Sequence, residues 1–179
     1  MFNQKTGEWV FHAGPVFAEI VLADEINRAS PKTQSALLEV MEEAQVTVDG
    51  VRRPAPQPFM VIATQNPVEQ AGTYPLPEAQ LDRFLMKTSI GYPSRSAMID
   101  VLDGSASPDR SKNLQPMVSG QDIVAWSALA ADNHTDRAVL DYVAALAEAT
   151  REDESSLLGV STRGAIGMVR CTRVWAAAQ

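Results

Sequence analysis

Cysteine is almost missing. Cys171 is the single one in 179 residues, which excludes an internal disulfide and any multi-cysteine metal site and fits a reducing compartment. Long apolar runs are missing too: none approaches the roughly 18–20 residues of a bilayer span. The N-terminal stretch MFNQKTGEWVFHAG lacks the charged-then-apolar pattern of a secretory leader. Nor is there an excess of basic charge. Lys and Arg number 15 against 22 Asp and Glu, a net charge of −7. Residues 1–95 carry 8 basic and 11 acidic side chains, and residues 96–179 carry 7 and 11, so neither half offers a basic surface. That argues against sequence-independent binding to nucleic acid or anionic lipid. These absences predict a soluble, cytoplasmic protein with neither nucleic acid nor membrane among its partners. What is present is enough for a core: 45% hydrophobic against 21% charged residues excludes compositional disorder.

Strand and helix signals alternate in the first half. Trp9-Val10-Phe11 is β-prone. Ile20-Val21-Leu22-Ala23 is a continuous apolar run of the kind expected for a strand buried on both faces, and it stops at Asp24-Glu25. Ser30-Pro31 starts a helix, with Ser as cap and Pro at the first helical position. Leu37, Leu38, Met41 and Ala44 form its apolar stripe, with Glu39, Glu42 and Glu43 mostly off it. Val46-Thr47-Val48 and Val51-Arg52-Arg53 flank Asp49-Gly50, which predicts a hairpin with a solvated turn. Phe59–Ala63 is a second buried-strand run, ending in Thr64-Gln65-Asn66-Pro67. A Gly- and Pro-containing loop leads to a helical turn at AQLDRF, and Leu85–Ile90 reads as a further strand. From residue 94 the pattern is helical: a short helix near 95–103, a loop over 104–117, a capping box at Ser119 and Asp122, a cap at Thr135, and a last helix capped by Ser161. Trp126, Trp175 and Cys171 lie among apolar neighbours and read as core, while His12 and His134 read as ordinary polar positions. The fold class is α/β over residues 1–93, followed by an all-α domain over residues 94–179.

The most informative local feature is an apolar strand that ends in two carboxylates. In parallel α/β sheets the C-terminal strand edge is where ligands bind. A carboxylate there can hold hydrated Mg²⁺, and a second beside it can deprotonate an attacking water. Such a pair also occurs as a plain loop start or helix cap. The second buried strand ends in polar Thr64-Gln65-Asn66, where an amide could hold that water; Asn66-Pro67 is also an ordinary turn start. Arg83 alone would read as a surface arginine pairing with Glu78 or Asp82. Arg163, near a helix N-terminus, opposes the helix dipole, which is mild evidence for an anionic ligand.

ADEINRASPKTQSALLEVMEE, VTVDG, PFMVIATQNPVEQAGTYPLPEAQLDRF and GVSTRGAI, in this order, resemble the MoxR family of AAA+ ATPases, from about Gly14 to the C-terminus. The resemblance implies a partial AAA+ core in residues 1–93 and a helical lid in residues 94–179, with ATP and Mg²⁺ as ligands. It implies Asp24 as the Walker B aspartate that holds Mg²⁺, Glu25 as the catalytic glutamate, and Asn66 as sensor 1. Arg83 matches the arginine finger acting on the neighbouring subunit, and Arg163 matches sensor 2. The 46–53 hairpin matches an insertion often aimed at the central pore. The family forms rings, with a hexamer expected, and often acts on partners with a von Willebrand factor A domain. Two departures stand out. No G-x-x-x-x-G-K-[ST] phosphate loop occurs in the sequence, and the first core strand, the first helix and the end of the lid have no counterpart. The expectation is therefore an internal piece of an ATPase, inactive by itself; the alternative is a non-catalytic remnant that serves only in binding or assembly.

Overall fold

The computed structural model describes residues 2–3, 7–9, 11–66, 72–104 and 114–179. The strands among the described residues are β1 (Phe2–Asn3), β2 (Glu8–Trp9), β3 (Ile20–Ala23), β4 (Gln45–Val48), β5 (Val51–Pro54) and β6 (Met60–Ala63). Helix α1 (Pro31–Glu43) lies between β3 and β4, and α2 (Glu78–Leu81) follows β6. Among the described residues α3 (Arg95–Leu102), α4 (Gly120–Asp132), α5 (Arg137–Glu152) and α6 (Thr162–Ala177) follow.

The central pairing is parallel. β3 and β6 run side by side in the register Ile20–Met60 to Ala23–Ala63, so both strands end at the same edge. The expectation of strands buried on both faces holds for one face only. Val21, Ala23, Val61 and Ala63 are partly covered, whereas Ile20, Leu22, Met60 and Ile62, on the opposite face, are 63%, 66%, 55% and 44% exposed. Successive strand residues point to opposite faces, and only the first face meets the core of Ile26, Leu38 and Leu76, with Leu37, Met41, Leu81 and Phe84 around it. The predicted strand at Leu85–Ile90 does not form; these residues are exposed and, among the described residues, pair with no strand. A strand exists only by virtue of a neighbour's hydrogen bonds.

Local signals fared better. Ser30, Ser119 and Ser161 each cap their helix, accepting from Thr33, Asp122 and Gly164 N–H. At Ser119 the reciprocal capping box is complete, with Asp122 Oδ2 accepting the Ser119 N–H at 2.8 Å. Asp49 and Gly50 both take positive φ, 53° and 76°, as a two-residue type I′ hairpin requires. Arg53 departs from the expected solvated turn: it is half-buried, with its guanidinium 3.7 Å from the centre of the Phe11 ring. Thr135 is not a cap. Asp136 caps α5 through Ala138 N–H at 2.8 Å, while Thr135 Oγ1 accepts from Arg173 Nε at 2.9 Å. Trp126 and Trp175 are 53% and 71% exposed and Cys171 is exposed, against the expectation of burial; the helix faces that carry them are uncovered. Part of the predicted 104–117 loop lies outside the described residues.

Helix α6 packs on α4 and α5 and is tied to the α/β part at its start. Ser161 Oγ donates to Asp82 at 2.7 Å. A Cβ at Gly167 would lie 3.0 Å from Leu85 Cδ1, so α6 approaches the segment after α2 closely there, and a larger residue would push the Leu85 side chain aside. Among the described residues no helix is long and apolar enough to cross a membrane.

Candidate functional site

Two polar strand ends meet at the sheet edge. Because β3 and β6 are parallel and in register, Asp24 and Thr64 follow Ala23 and Ala63 at the same level. Thr64 N–H donates to Ala23 carbonyl at 3.1 Å, and Ile26 N–H donates to Thr64 carbonyl at 3.0 Å, extending the ladder beyond the strands. The Thr64 hydroxyl then closes the edge: it donates to Asp24 Oδ1 and accepts the Glu25 N–H at 2.9 Å. Asn66 lies two residues further along the same segment. The structure thus brings Asp24, Glu25 and Thr64 to one edge. Thr64, whose role as the clasp was not evident from sequence, holds them there.

Glu25 sits in the left-handed region, at φ 49° and ψ 49°. A non-glycine residue held there stores about 1–2 kcal/mol of strain. Such outliers concentrate at functional sites. Its carboxylate, 41% exposed, pairs with Arg28 at 3.2 Å. The turn after it is fixed from below by a buried residue absent from the predicted set. Gln34 on α1 donates through Nε2 to Ile26 carbonyl at 3.1 Å and Tyr74 carbonyl at 2.8 Å. Tyr74 N–H in turn donates to Asn27 carbonyl at 2.6 Å. A glutamine on the inward face of an amphipathic helix was the one available sign of this.

The two predicted arginines are brought together, but on a carboxylate outside that edge. Arg83 Nη2 lies 3.3 Å from Glu42 Oε2, and Arg163 Nη2 lies 2.5 Å from Glu42 Oε1. Arg83 therefore pairs with neither Glu78 nor Asp82. Asp82, beside it, instead receives the Ser161 hydroxyl.

The donor set at the sheet edge fits hydrated Mg²⁺: an exposed carboxylate supplies hard oxygen, and this ion keeps most of its waters and shares phosphate oxygens. Among the described residues no group of three or more His, Cys, Asp or Glu forms an all-protein cage, so water and phosphate would complete the shell. Bound there, the ion would draw charge from a terminal phosphate.

Residues 1–86 match the ATPase family associated with various cellular activities. The chain is 46% identical over 176 residues to the uncharacterized protein YeaC of Bacillus subtilis, covering 98% of this chain and 55% of that one. It is 40% identical over 183 residues to chaperone MoxR1 of Mycobacterium tuberculosis, covering 97% and 48%. A crystal structure of a candidate ATPase from Cytophaga hutchinsonii superposes with a TM-score of 0.85 at 40% identity, covering 99% of this chain and 56% of that one. The chain spans about half the length of these relatives. Over the length it spans, the chain belongs to the MoxR-like AAA+ ATPases.

Proposed function

We propose that this chain is the carboxylate-, sensor- and arginine-bearing portion of a MoxR-type ATPase, whose hydrolysis of ATP drives remodelling or maturation of partner proteins. The observation that supports this reading is the parallel register that sets Asp24-Glu25 beside Thr64 at one sheet edge, with Asn66 two residues further along the chain. In it Asp24 holds Mg²⁺ largely through water, Glu25 takes the proton of the attacking water, and Asn66 orients that water against the terminal phosphate. Arg163 reads the phosphate from the lid, residues 94–179. Arg83 reaches from the core, residues 1–93, into a neighbouring subunit's site. A guanidinium suits both tasks, being always charged and matched to phosphate oxygens. The assembly is a ring, a hexamer on the family pattern, working in the cytoplasm, with von Willebrand factor A domain proteins as candidate partners.

A second reading is a binding or assembly module without turnover. Two observations favour it for the isolated chain: no G-x-x-x-x-G-K-[ST] occurs, and both arginines rest on Glu42. A phosphate loop normally supplies the backbone amides and lysine that cradle the phosphates. Calorimetry with Mg-ATP separates the readings when done on two proteins: the 179-residue chain, and a fusion carrying ahead of Met1 the segment that precedes the matching region in MoxR1. The ATPase reading expects weak or no binding by the chain alone, and binding with hydrolysis by the fusion. A properly folded fusion that binds ATP and never hydrolyses it supports the module.

A further inference from the structure

Glu42 occupies an electrostatically poor position in its own helix. It lies in the last turn of α1, next to Glu43 and one turn from Glu39, with no basic residue in that turn. Carboxylates are disfavoured at a helix C-terminus, where the dipole is negative. Arg163 has the mirror problem, sitting in the first turn of α6 with no acidic residue there. Each charge is misplaced in its own helix and satisfied by the other, at 2.5 Å. Arg83 takes the second Glu42 oxygen at 3.3 Å, so one carboxylate holds two guanidinium groups that lie 80 positions apart in sequence.

The arginines do not depend on Glu42 for being neighbours. Ser161, two residues before Arg163, donates to Asp82, the residue before Arg83, at 2.7 Å. Leu85 closes on Gly167 two residues after Arg83. With the Glu42 charge removed, two guanidinium groups and the positive end of a 16-residue helix would still converge. That is the chemistry of a site for a multiply charged phosphate.

We propose that Glu42 is a built-in counter-ion that occupies Arg83 and Arg163 in place of phosphate, so that a polyphosphate binds only by displacing it. This rests on the reading of Arg83 and Arg163 as phosphate-facing residues. The pairs are part-exposed, with side-chain exposures of 33% and 46% for the arginines and 45% for Glu42, so the competition is mild and reversible.

The test is titration of the 179-residue chain with inorganic tripolyphosphate at low salt, without nucleoside or Mg²⁺. Wild type, Glu42→Gln, and Glu42→Gln combined with Arg83→Ala and Arg163→Ala are compared by calorimetry. Two exposed ion pairs relieved of competition should tighten binding roughly five- to thirtyfold in Glu42→Gln. The triple variant should lose that gain. Tripolyphosphate should also raise the melting temperature of Glu42→Gln more than that of wild type, since a ligand stabilises the state it binds by an amount that grows with the logarithm of its affinity. Equal or weaker binding by Glu42→Gln, no binding by either protein, or a gain that survives in the triple variant overturns the proposal. Because nothing is hydrolysed, its failure is separable from failure of the ATPase reading, which is decided by turnover.

Discussion

The Thr64 hydroxyl donates to Asp24 Oδ1, joining the ends of two parallel strands that are 40 positions apart in sequence. The same oxygen accepts the Glu25 N–H at 2.9 Å and so helps hold Glu25 in its left-handed conformation. Thr64→Val keeps the shape and removes both bonds. We expect it to destabilise the chain by about 1 kcal/mol, the usual worth of one or two partly exposed hydrogen bonds. Thr64→Ser should stay within about 0.5 kcal/mol of wild type. Urea unfolding of the three proteins checks this; a Val variant as stable as wild type would remove Thr64 from the account.

A second expectation concerns pH. Asp122 accepts from the Ser119 hydroxyl at 2.6 Å and from the Ser119 N–H at 2.8 Å, and these bonds hold its carboxyl below the usual carboxylate range. A depressed folded pKa gives stability that is present above the unfolded value and lost as pH falls through the folded one. Ser119→Ala deletes the hydroxyl bond. NMR titration should show the Asp122 midpoint moving up toward the ordinary value, and the acid-side loss of stability from this group should become smaller and be complete at a higher pH. An unchanged midpoint would mean that the cap does not control this group.

Much of the site was legible because its signals are short-range. Ile20–Ala23 and Phe59–Ala63 are apolar runs closed by polar residues, and a strand end is set by where the apolar run stops. Ser30, Ser119 and Ser161 are caps, settled by bonds within three residues. What escaped depends on distant partners. Leu85–Ile90 has strand-like composition, but pairing belongs to two segments and none is supplied. Trp126, Trp175 and Cys171 sit on apolar faces, yet burial requires something to lie against those faces. Glu42 looked like a solvated residue of an amphipathic helix; its link to Arg163 spans 121 positions. Thr135, the expected cap, is held by Arg173, and its neighbour Asp136 caps α5 instead.

The role proposed for Arg83 predicts a particular failure and a particular rescue. In the MoxR1 fusion, Arg83→Ala should bind ATP nearly as well as the parent and hydrolyse it poorly, since an arginine finger is worth about 10³–10⁵ in rate. Mixed with Glu25→Gln subunits it should regain activity, because some sites then combine an intact Glu25 with an intact Arg83 from the next subunit. The check is ATPase rate against mixing ratio, with co-assembly followed by light scattering. Normal hydrolysis by Arg83→Ala would return it to the status of a structural partner of Glu42. No rescue between exchanging subunits would place its action within one chain.

The central claim is that Glu25 is the base of an ATP-hydrolysing site, and the most direct measurement is turnover of Glu25→Gln in the MoxR1 fusion, with ATP binding measured on the same sample. Glutamine keeps the shape and cannot take the proton. Binding should be retained and turnover should fall roughly 10²–10⁴-fold, the usual cost of losing a general base. Near-normal turnover with ATP bound would contradict it and leave Glu25 as the carboxylate of a turn, paired with Arg28 at 3.2 Å.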